Sequence, residues 1–153
     1  MANIFNVAKY ILEKENKITA MKLQKLCYYS QAWHLVWEET PLFNNHFEAW
    51  ENGPVCPELY QWHKGQFIIE NTSGLDALCA KDLTENETDT IDCVLRDYRK
   101  YTAQQLSDLT HQEKPWKETY NKYCDFSGRC SAEIPIAIIH QFYSGLLNEC
   151  KEN

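Results

Sequence analysis

Up to Pro41 apolar side chains recur along the chain at helical intervals, and beyond it the pattern changes character. Ile4, Val7, Ala8, Ile11 and Leu12 mark one face of a first amphipathic helix over Asn3 to Glu15. After a short connection from Asn16 to Ile18, Thr19 supplies an N-cap for a second helix that runs to about Glu38 and stops before Thr40 and Pro41. At steps of about 100° per residue, Lys22, Lys25, Tyr29, Trp33 and Val36 share one stripe of this helix, and Leu23, Leu26, Cys27, Ser30, His34 and Trp37 fill the next. Such a helix can show water only a thin strip. It is expected to be the central strut of the domain, antiparallel to the first helix because the loop between them is short.

From Pro41 to Pro57 three prolines favour extended backbone in the residues before them, and Phe47 and Ala49 alternate with Glu48 and Trp50, which predicts a short strand. Gly53 ahead of Pro54 is expected to take a backbone conformation that a side chain would oppose, and Pro57 suits the first position of a helix carrying Leu59, Tyr60 and Trp62. Phe67, Ile68 and Ile69 form a second strand candidate that would pair with the first as a small ribbon lying on helices. Asn71 to Thr84, polar and rich in small residues, reads as the most mobile loop. The second half reads as helical. Ile91, Val94, Leu95, Tyr98 and Tyr101 follow helical spacing, and Thr102 with Gln105 forms a capping box. Pro115 opens a helix through Tyr120, a loop runs from Cys124 to Cys130, and Pro135 begins a last apolar helix. The fold class is therefore mainly α (α+β): a compact helical domain around an aromatic-rich helix with a small two-stranded β ribbon. Without an internal repeat or a splitting linker, residues 1–153 form a single domain.

With 44% hydrophobic and 13% aromatic residues in 153, the chain is too apolar to be disordered and long enough to bury a core without a staple. Its apolar runs fall short of the ~18 residues a membrane span needs, and its N-terminus lacks a signal-peptide layout, so a cytoplasmic location away from membranes is expected. A net charge of −7 argues against direct nucleic-acid binding, which relies on Lys and Arg at phosphates. Asp76, Asp82, Glu85, Glu87, Asp89 and Asp92, with only Lys81 among them, read as a solvated loop entering a helix N-terminus rather than an acidic docking surface.

Seven cysteines with no CxxC pair predict reduced, mostly buried thiols rather than a disulfide framework or a zinc ribbon. Cys27 to His34 and Cys56 to His63 are each seven apart, about two turns or ~10 Å along a helix, too far for a ligand clamp or a catalytic dyad. No metal and no cofactor is expected. Phosphate-binding glycine loops, GxSxG and HExxH are absent, and Glu48 with Glu51 near Trp50 reads as a solvated pair. His111, before Pro115 and Trp116, has two readings. The favoured one is a corner locked through a backbone hydrogen bond, the other a reactive base. His34 reads as a core histidine with its hydrogen bonds met.

MKLQKLCYYSQAWHL at Met21 to Leu35, PLF at Pro41 to Phe43, FEAWENGPVCPELY at Phe47 to Tyr60, SDLTHQEKPW at Ser107 to Trp116 and IPIAII from Ile134 occur in an order that resembles the Panacea domain, the SocA-like or GepA-like domain of bacterial and phage-associated antitoxins. Cys27 and Cys56 depart from the pattern, standing where an aliphatic residue is usual. The resemblance implies an antitoxin that neutralises a cognate toxin protein by direct contact and is not an enzyme. One alternative is a proteolytic adaptor that delivers the toxin to a AAA+ protease, docking through the acidic segment or the tail from Cys150 to Asn153. A more remote one is an enzyme that reverses the toxin's modification, with His111 or Glu51 as base. No appended DNA-binding domain, and hence no operator binding, is expected. Aromatics and charges around the GP turn make Lys25, Tyr29, Trp33, Trp50, Glu51 and Tyr60 the candidate partner contacts, although Trp33 and Tyr60 have at least as strong a claim to the core. Gly53, Pro54, Pro57, His111, Pro115 and Trp116 are the candidate structural motif.

Overall fold

The computed structural model describes residues 1–124 and 130–152, with side chains through 150. Its first helix, α1, spans Ile4–Glu15 behind a capping box made by Asn3 and Asn6, and the strut α2 spans Ala20–Glu38, with Thr19 accepting the Lys22 N–H as N-cap. Fourteen of the 19 residues of α2 are buried, and the helix packs against α1 and against α5 (Glu85–Tyr98), α6 (Ala103–Gln112) and α8 (Ile136–Glu152). The helices α3 (Pro57–His63), α4 (Leu75–Leu78) and α7 (Lys114–Tyr123) complete a mainly helical fold.

A helix buried on nearly every side must find partners for its polar side chains. Those of α2 bond largely to the backbone of the proline-rich segment that wraps it. Gln31 accepts the Leu42 N–H and donates to the Phe43 carbonyl, 2.8 and 2.7 Å. His34 Nδ1 lies 2.7 Å from the Thr40 carbonyl, which makes it the satisfied core histidine anticipated above. Gln24 does the same for Cys56, and Lys25 for Pro54. The polar positions inside the aromatic helix thus fix the path of Thr40 to Cys56.

The β structure departs from expectation in its pairing. Phe67–Ile69 does not join Phe47–Trp50. Instead β2 (Glu48–Trp50) folds back on β3 (Gly53–Val55) through Glu51 and Asn52, while β4 (Ile68–Ile69) pairs with β1 (Ile18–Thr19) between the first two helices. A two-residue connection closes a hairpin before the chain can travel further. Pro54 fits because it lies opposite Ala49, whose N–H points the other way, to the Ala132 carbonyl at 2.8 Å, so the pair needs no ladder bond from proline. Residues 132–134 run along the outer edge of β2, with the Ile134 N–H on the Phe47 carbonyl.

Two other expectations are corrected. The segment expected to be mobile, Asn71 to Thr84, is pinned to α1. Leu75 is fully buried, Asn3 donates to the Leu78 carbonyl, and Asn6 accepts from Ala80 and donates to Lys81. Of the cysteines expected to be reduced, Cys124 and Cys130 form a disulfide, their Cα atoms 5.1 Å apart. The chain returns from α7 to the edge of β2 at that point, bringing two residues six apart in sequence within bonding reach. The residues between them lie outside those described. Much of the acidic stretch is engaged within the protein: Glu87 caps α5 and pairs with Lys81, Asp76 pairs with Lys9, and Asp92 accepts from Tyr10.

Candidate functional site

The hairpin β2–β3 is held from beneath by residues that lie far along the sequence. Ser107 on α6 donates to the Asn52 carbonyl at 2.8 Å, and Trp116 on α7 donates its indole N–H to the Trp50 carbonyl at 2.7 Å. His111 stacks on Trp116 with ring centres 4.0 Å apart, and Trp116 stacks in turn on Tyr120. Burial holds the His111 pKa below its ordinary value, the larger effect, against the Glu51 backbone carbonyl, which favours the charged form. ENGPV and SDLTHQEKPW, separate in sequence, are thus two sides of one corner. Pro57 opens α3 and Pro115 lies buried in the first turn of α7.

Above this corner lies a half-open cavity of about 820 Å³, between the first turns of α2, the hairpin and α3. Lys25, Trp50, Glu51 and Tyr60 all line it. The Trp50 and Tyr60 rings meet edge to face at 5.0 Å, the Trp50 indole N–H donates to Glu48 at 2.9 Å, and Glu51 is exposed at the turn. Of the six expected contacts, the other two lie elsewhere. Tyr29 is wholly buried, donating to Glu113 at 2.7 Å, so it has no surface to offer a partner. Trp33 is half-buried, donates to the Tyr98 hydroxyl and packs against Tyr143. The helical stripe placed both with Lys25, but their side of α2 is covered by α5 and α8 further along the strut.

Lys25 is the unusual member. Only 1% exposed, it passes beneath Gly53 and donates to the Pro54 carbonyl at 3.2 Å, and burial alone lowers its pKa to about 7. Beside it Gln24, which the sequence did not single out, and His63, set aside there as a ligand or dyad partner of Cys56, share a network. The Cys56 N–H donates to Gln24 Oε1 at 2.9 Å, so the amide nitrogen faces His63 Nε2 at 3.0 Å. His63 Nε2 must then accept, which places its proton on Nδ1 and keeps the ring neutral. Burial, which lowers its pKa, acts in the same direction.

Lys25 therefore weakens the fold. An amine depressed to about 7 costs the folded protein about 4 kcal/mol near neutral pH relative to the unfolded chain. The unfolded chain keeps this proton to about pH 10, so the penalty is full below pH 7 and fades as pH rises toward 10. Lys25→Met removes the charge and keeps an unbranched side chain one atom shorter. Allowing for the Pro54 carbonyl left unpaired, it should gain about 2 kcal/mol at pH 7 in urea denaturation, with the gain shrinking by pH 9.5. A variant less stable than the native chain at pH 7 would contradict this account of the amine.

Among the described residues no group of three or more His, Cys, Asp or Glu side chains could hold a metal ion, and no helix is long and apolar enough to cross a membrane. Comparison with known proteins gives one family. The model described as "Antitoxin SocA-like, Panacea domain" matches residues 23–117, which takes in the strut, the hairpin and the Trp116 corner. The Antitoxin SocA of Caulobacter vibrioides (strain NA1000 / CB15N) is 31% identical over 124 residues, an alignment covering 72% of this chain and 66% of that protein. The chain thus spans just under two thirds of that relative's length. No solved structure matches.

Proposed function

Because the chain belongs to the SocA-like antitoxin family built on the Panacea domain, we propose that it is an antitoxin that neutralises a toxin protein in the cytoplasm by binding it, through a surface that includes the mouth of the hairpin cavity. The observation that carries the reading is the convergence of Trp50, Glu51 and Tyr60 on one opening, on a turn whose backbone is fixed by Ser107 and Trp116. Aromatic side chains on a rigid support make strong binding anchors, because little conformational freedom is lost on association. The role needs no bond-making chemistry of the protein itself.

Trp50→Ala should weaken binding of the cognate toxin at least tenfold, about 1.4 kcal/mol, in a titration with purified components. Its backbone carbonyl still receives the Trp116 indole, so the circular dichroism spectrum should not change. Unaltered affinity in a folded Trp50→Ala, Tyr60→Ala double variant would remove this surface from the proposal. Toxin half-life separates masking from delivery to a AAA+ protease: full protection with an unchanged half-life is the outcome expected of masking.

A further inference from the structure

The Lys25 amine has donors to spare. An ammonium carries three N–H groups. Among the described residues Lys25 has the Pro54 carbonyl as acceptor and no carboxylate within ion-pair distance. Lys25, only 1% exposed, is among the residues that line a cavity of about 820 Å³, within the ~300–1,000 Å³ range of small-molecule sites. Among the described lining residues, its neighbours leave it as the cation of that wall. Gln24 is committed to Cys56 and His63, His63 accepts from Gln24 as a neutral ring, and burial disfavours the charged form of nearby His111. Met21, Trp50, Val55 and Tyr60 supply apolar and aromatic surface, and the carboxylate among the lining residues, Glu51, sits exposed at the turn.

We propose that this cavity is a receptor for a carboxylate carried on an aromatic or apolar group, with the acid's oxygens accepting from the Lys25 amine and Trp50, Val55 and Tyr60 covering the apolar part. A buried amine without a counter-charge is costly, and a carboxylate converts that cost into a charge-assisted hydrogen bond in a low-dielectric setting. The acid's source is either the terminus of a partner chain or a free small acid. The inference stands apart from the antitoxin reading, since it is measured on the isolated protein without toxin.

The test is isothermal titration of the full chain at pH 7 with N-acetyl-L-phenylalanine as a chain-terminus probe, phenylacetate as a free-acid probe, and N-acetyl-L-phenylalanine amide as the uncharged control. At least one acid is expected to bind at least tenfold more tightly than the amide, and Lys25→Met should abolish that preference. Tighter binding of N-acetyl-L-phenylalanine assigns the site to a chain end, and tighter binding of phenylacetate to a free acid. The proposal is overturned if neither acid binds at its solubility limit, if acids and amide bind alike, or if a folded Lys25→Met variant binds the acids as the native chain does. The acid-to-amide comparison uses the unaltered protein, so it decides the matter even where the variant does not fold.

Discussion

Replacing Glu113 with alanine is expected to cost about 4 kcal/mol of folding stability, whereas Glu113→Gln should leave the fold nearly as stable as before. Glu113 lies buried where α6 meets α7, and one of its oxygens accepts from both Tyr29 and Tyr143, each at 2.7 Å. With its proton given to Glu113, Tyr143 offers its own oxygen to the Tyr28 hydroxyl 3.2 Å away. Alanine would strand two buried hydroxyls and leave a void among the aromatic rings, and each stranded group costs about 1–3 kcal/mol. Glutamine keeps a carbonyl oxygen for both. Burial raises the Glu113 pKa above the ordinary carboxyl range, outweighing the two tyrosine donors that lower it. A carboxyl raised in the folded state contributes stability that is complete below its unfolded pKa and is lost as pH climbs through the folded value. Glu113→Gln cannot ionise, so that component of the pH dependence should vanish. Chemical denaturation of both variants between pH 4 and pH 8 checks each point, and an alanine variant within 1 kcal/mol of the native protein would refute the network.

Gly53→Ala is the second large effect, at about 3 kcal/mol destabilising. Gly53 has φ +117°, a conformation that side chains rarely adopt. An added Cβ would stand 2.6 Å from Lys25 Cε and 2.8 Å from Thr110 Oγ1, closer than such contacts allow. Two costs combine, backbone strain and the displacement of the buried amine from beneath the hairpin. The substitution should therefore weaken toxin binding as well as the fold, because the cavity wall moves with Lys25. A thermal melt that shifts by less than 2 °C would show that the hairpin relaxes at no cost.

Gly53 also shows what could be read from the chain alone. Its special backbone, the wrap-around burial of α2, the Thr19 and Thr102 caps and the helices opened by Pro57 and Pro115 all follow from local rules, and each stands where those rules put it. The partners of those elements did not follow. Phe67–Ile69 reads as a strand, but its pairing with Ile18–Thr19 depends on where α1 and α2 leave an open edge, which lies outside any local window. Tyr29 and Lys25 fall on one helical stripe. They part because α5 and α8 cover one end of the strut and the hairpin covers the other, and periodicity cannot see either cover. Gln24 went unnoticed for the same reason, and spacing weighs His63 only against Cys56, as a metal or dyad partner. A glutamine inside an apolar helix shows its purpose only when the backbone it serves, at Cys56, is in view. A faint signal was present nonetheless: polar residues at Gln24, Gln31 and His34 along a helix otherwise fit for burial imply bonds to something beyond the helix itself.

The proposed function rests on stoichiometric capture of a toxin by a preformed face. The most direct test titrates the purified protein against its cognate toxin, reading toxin activity and complex formation in the same samples. Protection that ends at one equivalent, with toxin and protein eluting together, is the predicted result. Full protection well below one equivalent, with no complex recovered, would contradict it.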